Sequence, residues 1–551
     1  MTDKKTFILS IDSGCWEYLD PLLEQGRMPS LSRLIERGTR GVLESTMPPV
    51  TPVAFSSFIT GLNPGKHGIF DWSVQVDKEG RFQSASAASR RGVPFWTYLN
   101  RRGVRVGLIN IPITYPPEPL DGFMIVGISV PKLSRNLTYP TSVLNEIEAE
   151  YGPYYVDVPM SILHDEGIEA YTSAWCVHED RQTEVAFDLI DRYDVQVLAL
   201  NYVGLDRLNH FSPDFVHIER VLENVDRNIG RFIDRFPDAN FMIMSDHGSR
   251  RLKGAFLLGK WLVQHGFLSH GEKSLRIPRY EINFVLGRFL RDHYRLSGLV
   301  EKVLRRLLGA LFWITPLTLA EPAWRFLARR APEAFAYRLT DRIDFPVTKA
   351  YVRSNSGPII VNIGRRGQPG PITTADYEPV RQALINELGR VGDPFSGKPV
   401  FRKIYGREEI YHGDAIELAP DLIADHYDST CDLIVDNDSE YYFFVNRLNR
   451  FGDHKRDGLF VFAGPDFAHL RSDGHRTSIM DIPVTLLHLY DVPIPEDMDG
   501  RVAVDFLAAD FVRQYPVKIQ SSDKENYRPQ HDFTEDEIEQ LSQHLKDLGY
   551  L

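Results

Sequence analysis

Three short apolar runs in this chain each break off into acidic or histidine side chains, and that coincidence restricts the fold more than any other feature. The run ending at Ile11 gives way to Asp12. Residues 196–202 (QVLALNY) lead into Gly204-Leu205-Asp206 with His210 four residues on, and 240–245 (NFMIMS) open onto Asp246-His247-Gly248. Runs this short predict buried strands, as do residues 104–110 and 124–128. The helical periodicity between them, in the Leu19, Leu22, Leu23 segment and over 213–236, predicts a βα-wound, mostly parallel sheet flanked by helices. In such sheets ligands collect at the carboxyl ends of strands, so the residues just past each run are the candidates for function. A spacing of four puts Asp206 and His210 on one face of a helical turn, and Gly248 lets the backbone bend tightly enough for Asp246 and His247 to reach one centre.

Composition narrows the class. A formal net charge of −12 argues against a protein that grips a nucleic-acid polymer, which needs surplus Lys and Arg, but leaves room for a small anionic substrate held by metals. The three cysteines, Cys15, Cys176 and Cys431, are far apart and form no CxxC spacing, so a disulfide framework or thiolate zinc site is not expected and a cytoplasmic setting is. The opening apolar run is too short for a signal peptide, and no apolar stretch approaches the roughly 18 residues of a membrane span. Four segments are expected: 1–268 and 346–511 as two parts of a catalytic α/β core, 269–345 as an inserted helical cap, and 512–551 as a polar tail with an amphipathic helix over 535–548. In the cap Leu299, Val303, Leu304, Leu307 and Leu311 recur at helical spacing among Lys302, Arg305 and Arg306. That pattern suits packing on the core, and also peripheral contact with a membrane surface.

Hard oxygen and imidazole ligands converging from several strand ends are what a paired-metal site for phosphate chemistry requires. Each piece alone is weak, since an Asp after a strand often caps a helix and a DxxxH pair is often a surface ion pair. The nucleophile candidate is Thr51, in Pro48-Pro49-Val50-Thr51-Pro52. Thr before Pro is a common helix opening, so Thr51 reads first as an N-cap, with free amides and the positive end of the helix dipole beside its hydroxyl.

In order, Asp12, VTPVAFSSFITGLNPGKHGIFDW (50–72), GLDRLNH (204–210), MSDHG (244–248) and GDHKRDGLFVFAGPDF (452–467) resemble the type I phosphodiesterase and nucleotide pyrophosphatase branch of the alkaline phosphatase superfamily. The resemblance implies an alkaline-phosphatase-like α/β fold and hydrolysis of a phosphate ester through a phosphothreonine on Thr51. It also implies two divalent metals, zinc by ligand type with manganese compatible. Asp12, Thr51, Asp246 and His247 would hold one, and Asp206, His210 and a later histidine the other. His454 is the choice for that histidine and His475 its rival; His67 matches the family but is taken as structural. Where nucleotide pyrophosphatases carry Asp-Asn this chain has Asp71-Trp72, which turns the substrate expectation toward other diesters, lipid headgroups included. The sulfatase pattern Cys/Ser-x-Pro-x-Arg is not met at Thr51. Phosphomonoesterase, phosphonate hydrolase and mutase remain alternatives, and a non-catalytic lipid- or partner-binding module is the alternative of another class.

Overall fold

A computed structural model describes residues 4–75, 82–128, 130–131, 134–270, 343–364, 369–435, 443–445, 450–471 and 474–522, with 303, 304, 307, 537 and 540. The expected cap over 269–345, with its membrane-facing alternative, and the tail helix over 535–548 lie almost wholly outside the described residues. The chain divides into two compact units, one of Met1–Arg251, Tyr405–Asp428 and Asn449–Leu551, the other of Leu252–Ile404 and Ser429–Leu448.

A nine-stranded sheet carries the first unit. Its strands are β1 (Thr6–Ile11), β2 (Gly38–Glu44), β3 (Val106–Ile111), β4 (Gly122–Val126), β5 (Thr138–Tyr139), β6 (Val197–Tyr202), β7 (Asn240–Met244), β10 (Asp457–Ala463) and β11 (Arg476–Ser478), and they lie in the order β11-β2-β10-β7-β1-β6-β3-β4-β5. Strands β7, β1, β6, β3 and β4 run parallel to their neighbours in that series, so their carboxyl ends share one edge. Strand β10 sits antiparallel between β2 and β7. Every residue of β1, β3 and β6 is buried, as the lack of polar alternation in their sequences requires of strands covered on both faces. Each such Leu, Ile or Phe contributes about 1.5–3 kcal/mol on burial, which makes the sheet centre a stiff base for whatever follows it.

Four helices matter for the site: α1 (Thr51–Thr60), α2 (Ile168–Tyr193), α3 (Gly204–Phe211) and α4 (Phe215–Arg235). The stripe of Ile218, Val221, Leu222, Val225, Ile229, Phe232 and Ile233 buries one face of α4, at the spacing its sequence predicts. Two further strands, β8 (Gly248–Arg251) and β9 (Gly452–Lys455), form an antiparallel ribbon just past the carboxyl end of β7, with Ser249 opposite His454 and Arg250 opposite Asp453. Because β9 is followed at once by β10, which is locked beside β7, the ribbon has little freedom of placement.

Smaller sheets lie outside the nine-stranded one. Gly254–Leu257 pairs in parallel with Cys431–Ile434 and antiparallel with Phe443–Val445, and Ala350–Val352 pairs antiparallel with Pro358–Val361. Residues 346–404, expected from sequence to continue the catalytic core, cluster with the second unit. The physical reason is that 350–352 and 358–361 pair with each other outside the nine-stranded sheet, and a short apolar run does not say which sheet it joins.

Candidate active site

Strands β6, β1 and β7 are neighbours, so the residues that follow them meet. The Asp12 amide still donates to the Tyr202 carbonyl at 2.9 Å, extending the β1–β6 ladder by one residue and pointing the chain out of the sheet edge. Ser13 then takes a left-handed conformation, φ +68°, that a non-glycine residue adopts only at a cost. This turn aims its N–H at Asp246 Oδ1 (3.3 Å) and its hydroxyl at Asp206 Oδ1 (2.9 Å).

Asp12, Thr51, Asp246 and His247 come together, all essentially without solvent exposure. Around His247 Nε2 lie Asp246 Oδ2 at 3.1 Å, Thr51 Oγ1 at 3.3 Å and Asp12 Oδ1 at 3.8 Å. The Nδ1 of the same ring faces Ser13 Oγ and the Gly248 carbonyl, each at 3.3 Å, which places the ring proton on Nδ1 and leaves Nε2 bare toward the three oxygens.

Asp206, His210 and His454 form an adjoining cluster. Helix α3 puts His210 one turn after Asp206, with Nε2 3.2 Å from Asp206 Oδ1, and the ribbon brings His454 Nε2 to 3.5 Å from that oxygen and 3.2 Å from His210 Nε2. His210 Nδ1 lies 2.8 Å from the Gly452 carbonyl, which turns Nε2 toward Asp206 and His454. The His247 and His454 rings stack at 3.8 Å, joining the clusters. His475, the rival for the last position, instead packs edge-on against Phe506 and is not among the gathered residues.

Each carboxylate is oriented by a donor from the protein. Asn201 donates to Asp12 Oδ2 (3.0 Å), Arg207 to Asp206 Oδ2 (3.1 Å), and Ser13 N–H to Asp246 Oδ1. Asp12 Oδ1 and Asp246 Oδ2 make no hydrogen bond among the described residues although both are buried. Burial pushes Asp12 well above the ordinary carboxylate range, with Asp246 and Asp206 adding to it, and burial followed by Asp206 pushes Asp246 up to about 7. For Asp206 the upward push of burial is outweighed by His210 and His454, and its carboxyl lies well below the usual range. Burial lowers His247, and burial with the neighbouring His247 lowers His454 to about 3.

Without cations, three carboxylates buried this close to one another cannot all stay ionised. With them the arrangement is well matched: donors bound tetrahedrally at zinc–ligand distances stand roughly 3.3 Å apart, close to the spacings in both clusters. The residues present therefore fit a pair of metal ions.

Two expectations change at Thr51. Val50 is the N-cap and Thr51 the first helical residue; no side-chain capping bond forms. The amides of Val53 and Ala54 donate to the Val50 carbonyl and Pro52 has none, so the helix offers the dipole of its first turn rather than a set of free amides. His67 is fully buried, facing Ser57 Oγ (3.1 Å) and accepting from the Ile69 amide, in a structural setting. Sequence reasoning passed over Ser13, Asn201, Arg207, Arg250 and Asp453. The adjacency of Ser13 to Asp12, of Arg207 to Asp206 and of Asp453 to His454 was the one signal available for any of them.

The sequence pattern of the family described as type I phosphodiesterase / nucleotide pyrophosphatase matches residues 6–338. Among solved structures the chain is similar to murine ectonucleotide pyrophosphatase / phosphodiesterase 5, with TM-score 0.46 and 14% identity over 92% of this chain and 100% of that one. It is similar also to the human protein of that name (TM-score 0.46, 12% identity, the same coverage), and to an inactive form of the murine protein in complex with AMP (TM-score 0.48, 14% identity, the same coverage). No curated protein matches. From its sequence match, with the Asp and His side chains gathered where such an enzyme needs them, the chain belongs to the type I phosphodiesterase / nucleotide pyrophosphatase family, metal-dependent phosphoric ester hydrolases of the alkaline phosphatase superfamily.

Proposed function

We propose that this protein cleaves a small-molecule phosphodiester by two in-line displacements, with Thr51 as nucleophile. In the first, Thr51 Oγ1 bonds to phosphorus as the bond to the leaving alkoxide breaks; in the second, water displaces Thr51 from the phosphothreonine and the ester becomes a monoester. Asp12, Thr51, Asp246 and His247 would hold one divalent cation, and Asp206, His210 and His454 the other. Zinc is favoured by the mixed imidazole and carboxylate donors, and manganese is compatible with them. Such ions supply Lewis-acid stabilisation of phosphoryl oxygens and lower the pKa of a hydroxyl or water.

The observation that carries this reading is the pair of buried carboxylate oxygens, Asp12 Oδ1 and Asp246 Oδ2, that make no hydrogen bond among the described residues and lie beside Thr51 Oγ1 and His247 Nε2. Packing alone gives no reason to bury them so. Ser13 and Gly248 fix the His247 ring, which sets where Nε2 meets the threonine oxygen. The dipole of the first turn of α1 favours phosphoryl charge at Thr51, and burial keeps competing water from the nucleophile.

Trp72, standing where the nucleotide enzymes have an amide side chain, is buried and carries an indole in its place, which favours diesters other than nucleotides, lipid headgroups among them. Membrane contact through residues 269–345 and a cytoplasmic setting belong to the same proposal and are supported by sequence pattern and by three cysteines that form no disulfide. The test is a panel of aryl phosphodiesters, phosphomonoesters, sulfates and phosphonates assayed with zinc and manganese on the wild type and Thr51→Ala. Diesters should turn over fastest and the variant should lose nearly all activity; equal rates in the two proteins would remove Thr51 from the mechanism.

A further inference from the structure

Arg207 is among the largest side chains buried in the molecule, and it is a cation lodged next to a proposed metal centre. Such a charge opposes a divalent ion unless something offsets it. The offset is Asp157, from the segment between helices Ser142–Tyr151 and Met160–Glu166. The guanidinium spans two carboxylates, Nη1 donating to Asp206 Oδ2 at 3.1 Å and Nη2 to Asp157 Oδ2 at 2.9 Å. The side chains of Arg207, Asp206 and Asp157 are respectively 1%, 2% and 8% exposed, so the relay is screened little by water.

The consequence falls on the other oxygen of Asp206. With Oδ2 pinned, Oδ1 can only face Ser13 Oγ (2.9 Å), His210 Nε2 (3.2 Å) and His454 Nε2 (3.5 Å). A planar fork is needed to bridge two carboxylates in this way, and a lysine ammonium cannot reproduce it. We propose that the Asp157–Arg207 pair is a positioning device for the metal centre of Asp206, His210 and His454, with Arg207 orienting the carboxylate and Asp157 neutralising the cost of a fixed cation beside it. The inference rests on the metal assignment proposed above.

The test is metal affinity, read by competition with a chromophoric chelator on the full-length protein, and by the visible spectrum of the cobalt-substituted form. Arg207→Lys keeps the charge and loses the fork; Asp157→Asn keeps the shape and loses the charge. Both variants should weaken one of the two bound zinc ions by about 10–100-fold, perturb the cobalt spectrum, leave the other ion unchanged and combine non-additively in the double variant. Circular dichroism and melting of the metal-free proteins report folding. If Arg207→Lys does not fold, Asp157→Asn carries the test alone, since it leaves the guanidinium on Asp206. Wild-type affinity for both ions in a folded variant, or equal weakening of both, overturns the proposal. A wild-type protein that takes up no metal overturns instead the reading on which it rests.

Discussion

The two ligand clusters of the site sit side by side yet are built in different ways. Asp12, Asp246 and His247 follow adjacent parallel strands, so the sheet register itself sets their separation, and neutral groups, the Asn201 amide and the Ser13 N–H, hold their carboxylates. Asp206 and His210 stand on a short helix and meet His454 only because an antiparallel ribbon crosses the strand end. There the supports are ionic. Arg207 bridges Asp206 to Asp157, while Arg250 donates to the His454 carbonyl (2.9 Å) and to Asp453 (2.7 Å), whose other oxygen accepts from Arg450 (3.0 Å). Where the sheet supplies the geometry, neutral hydrogen bonds suffice; where geometry depends on a helix and a ribbon, buried charge pairs do the fixing.

If that contrast is right, the clusters should fail differently. The largest effect belongs to the nucleophile side. Thr51→Ala should cut turnover by on the order of 10³-fold or more while both metals stay bound, measured by single-turnover kinetics beside elemental analysis. Next comes Arg250→Met, which releases the ribbon. The metal held by Asp206, His210 and His454 should bind about 10–100-fold more weakly, with about 3 kcal/mol lost in denaturant unfolding, because Asp453 is left with one guanidinium. Equal weakening of both metals would show that the clusters are one mechanical unit. Asn201→Leu should act on the other cluster, more mildly, at about 1 kcal/mol and near the low end of that affinity range, since only a neutral hydrogen bond to Asp12 is removed.

A separate effect, read in stability rather than in metal binding, is a pH dependence under α3. Glu179 is fully buried on α2, accepts from the Gly204 amide at 3.0 Å and has its carboxyl pushed up by burial to about 8. Between its ordinary value of 4.5 and about 8 the unfolded chain ionises this group and the folded chain does not, so stability falls as pH rises through that window and levels off above it. Glu179→Gln should flatten this slope in chemical denaturation curves taken between pH 5 and 8, and an unchanged slope would assign the dependence to other groups.

The same contrast explains what could be read from the sequence. Strands β1, β6 and β7 and the residues that follow them were legible because a buried strand and the polar turn after it are contiguous, and parallel winding makes their ends coincide. The helical pair Asp206 and His210 was legible by its spacing. Asn201, Asp157 and Arg250 were not, since what distinguishes them is a partner tens or hundreds of residues away and no local pattern records it. Likewise 358–361 and 457–463 look alike as apolar runs, but one is paired outside the nine-stranded sheet and the other lies inside it. Thr51 was found as a helix opening and displaced by one position, because Val50 accepts the first-turn bonds that mark the cap.

One measurement bears on all of this: elemental analysis of protein reconstituted with zinc and freed of excess, for the wild type, His454→Ala and His475→Ala. The arrangement described predicts about two ions per chain in the wild type and in His475→Ala, and about one in His454→Ala, the ion kept being that of Asp12, Asp246 and His247. No bound metal in the wild type, or loss on changing His475 but not His454, would contradict it.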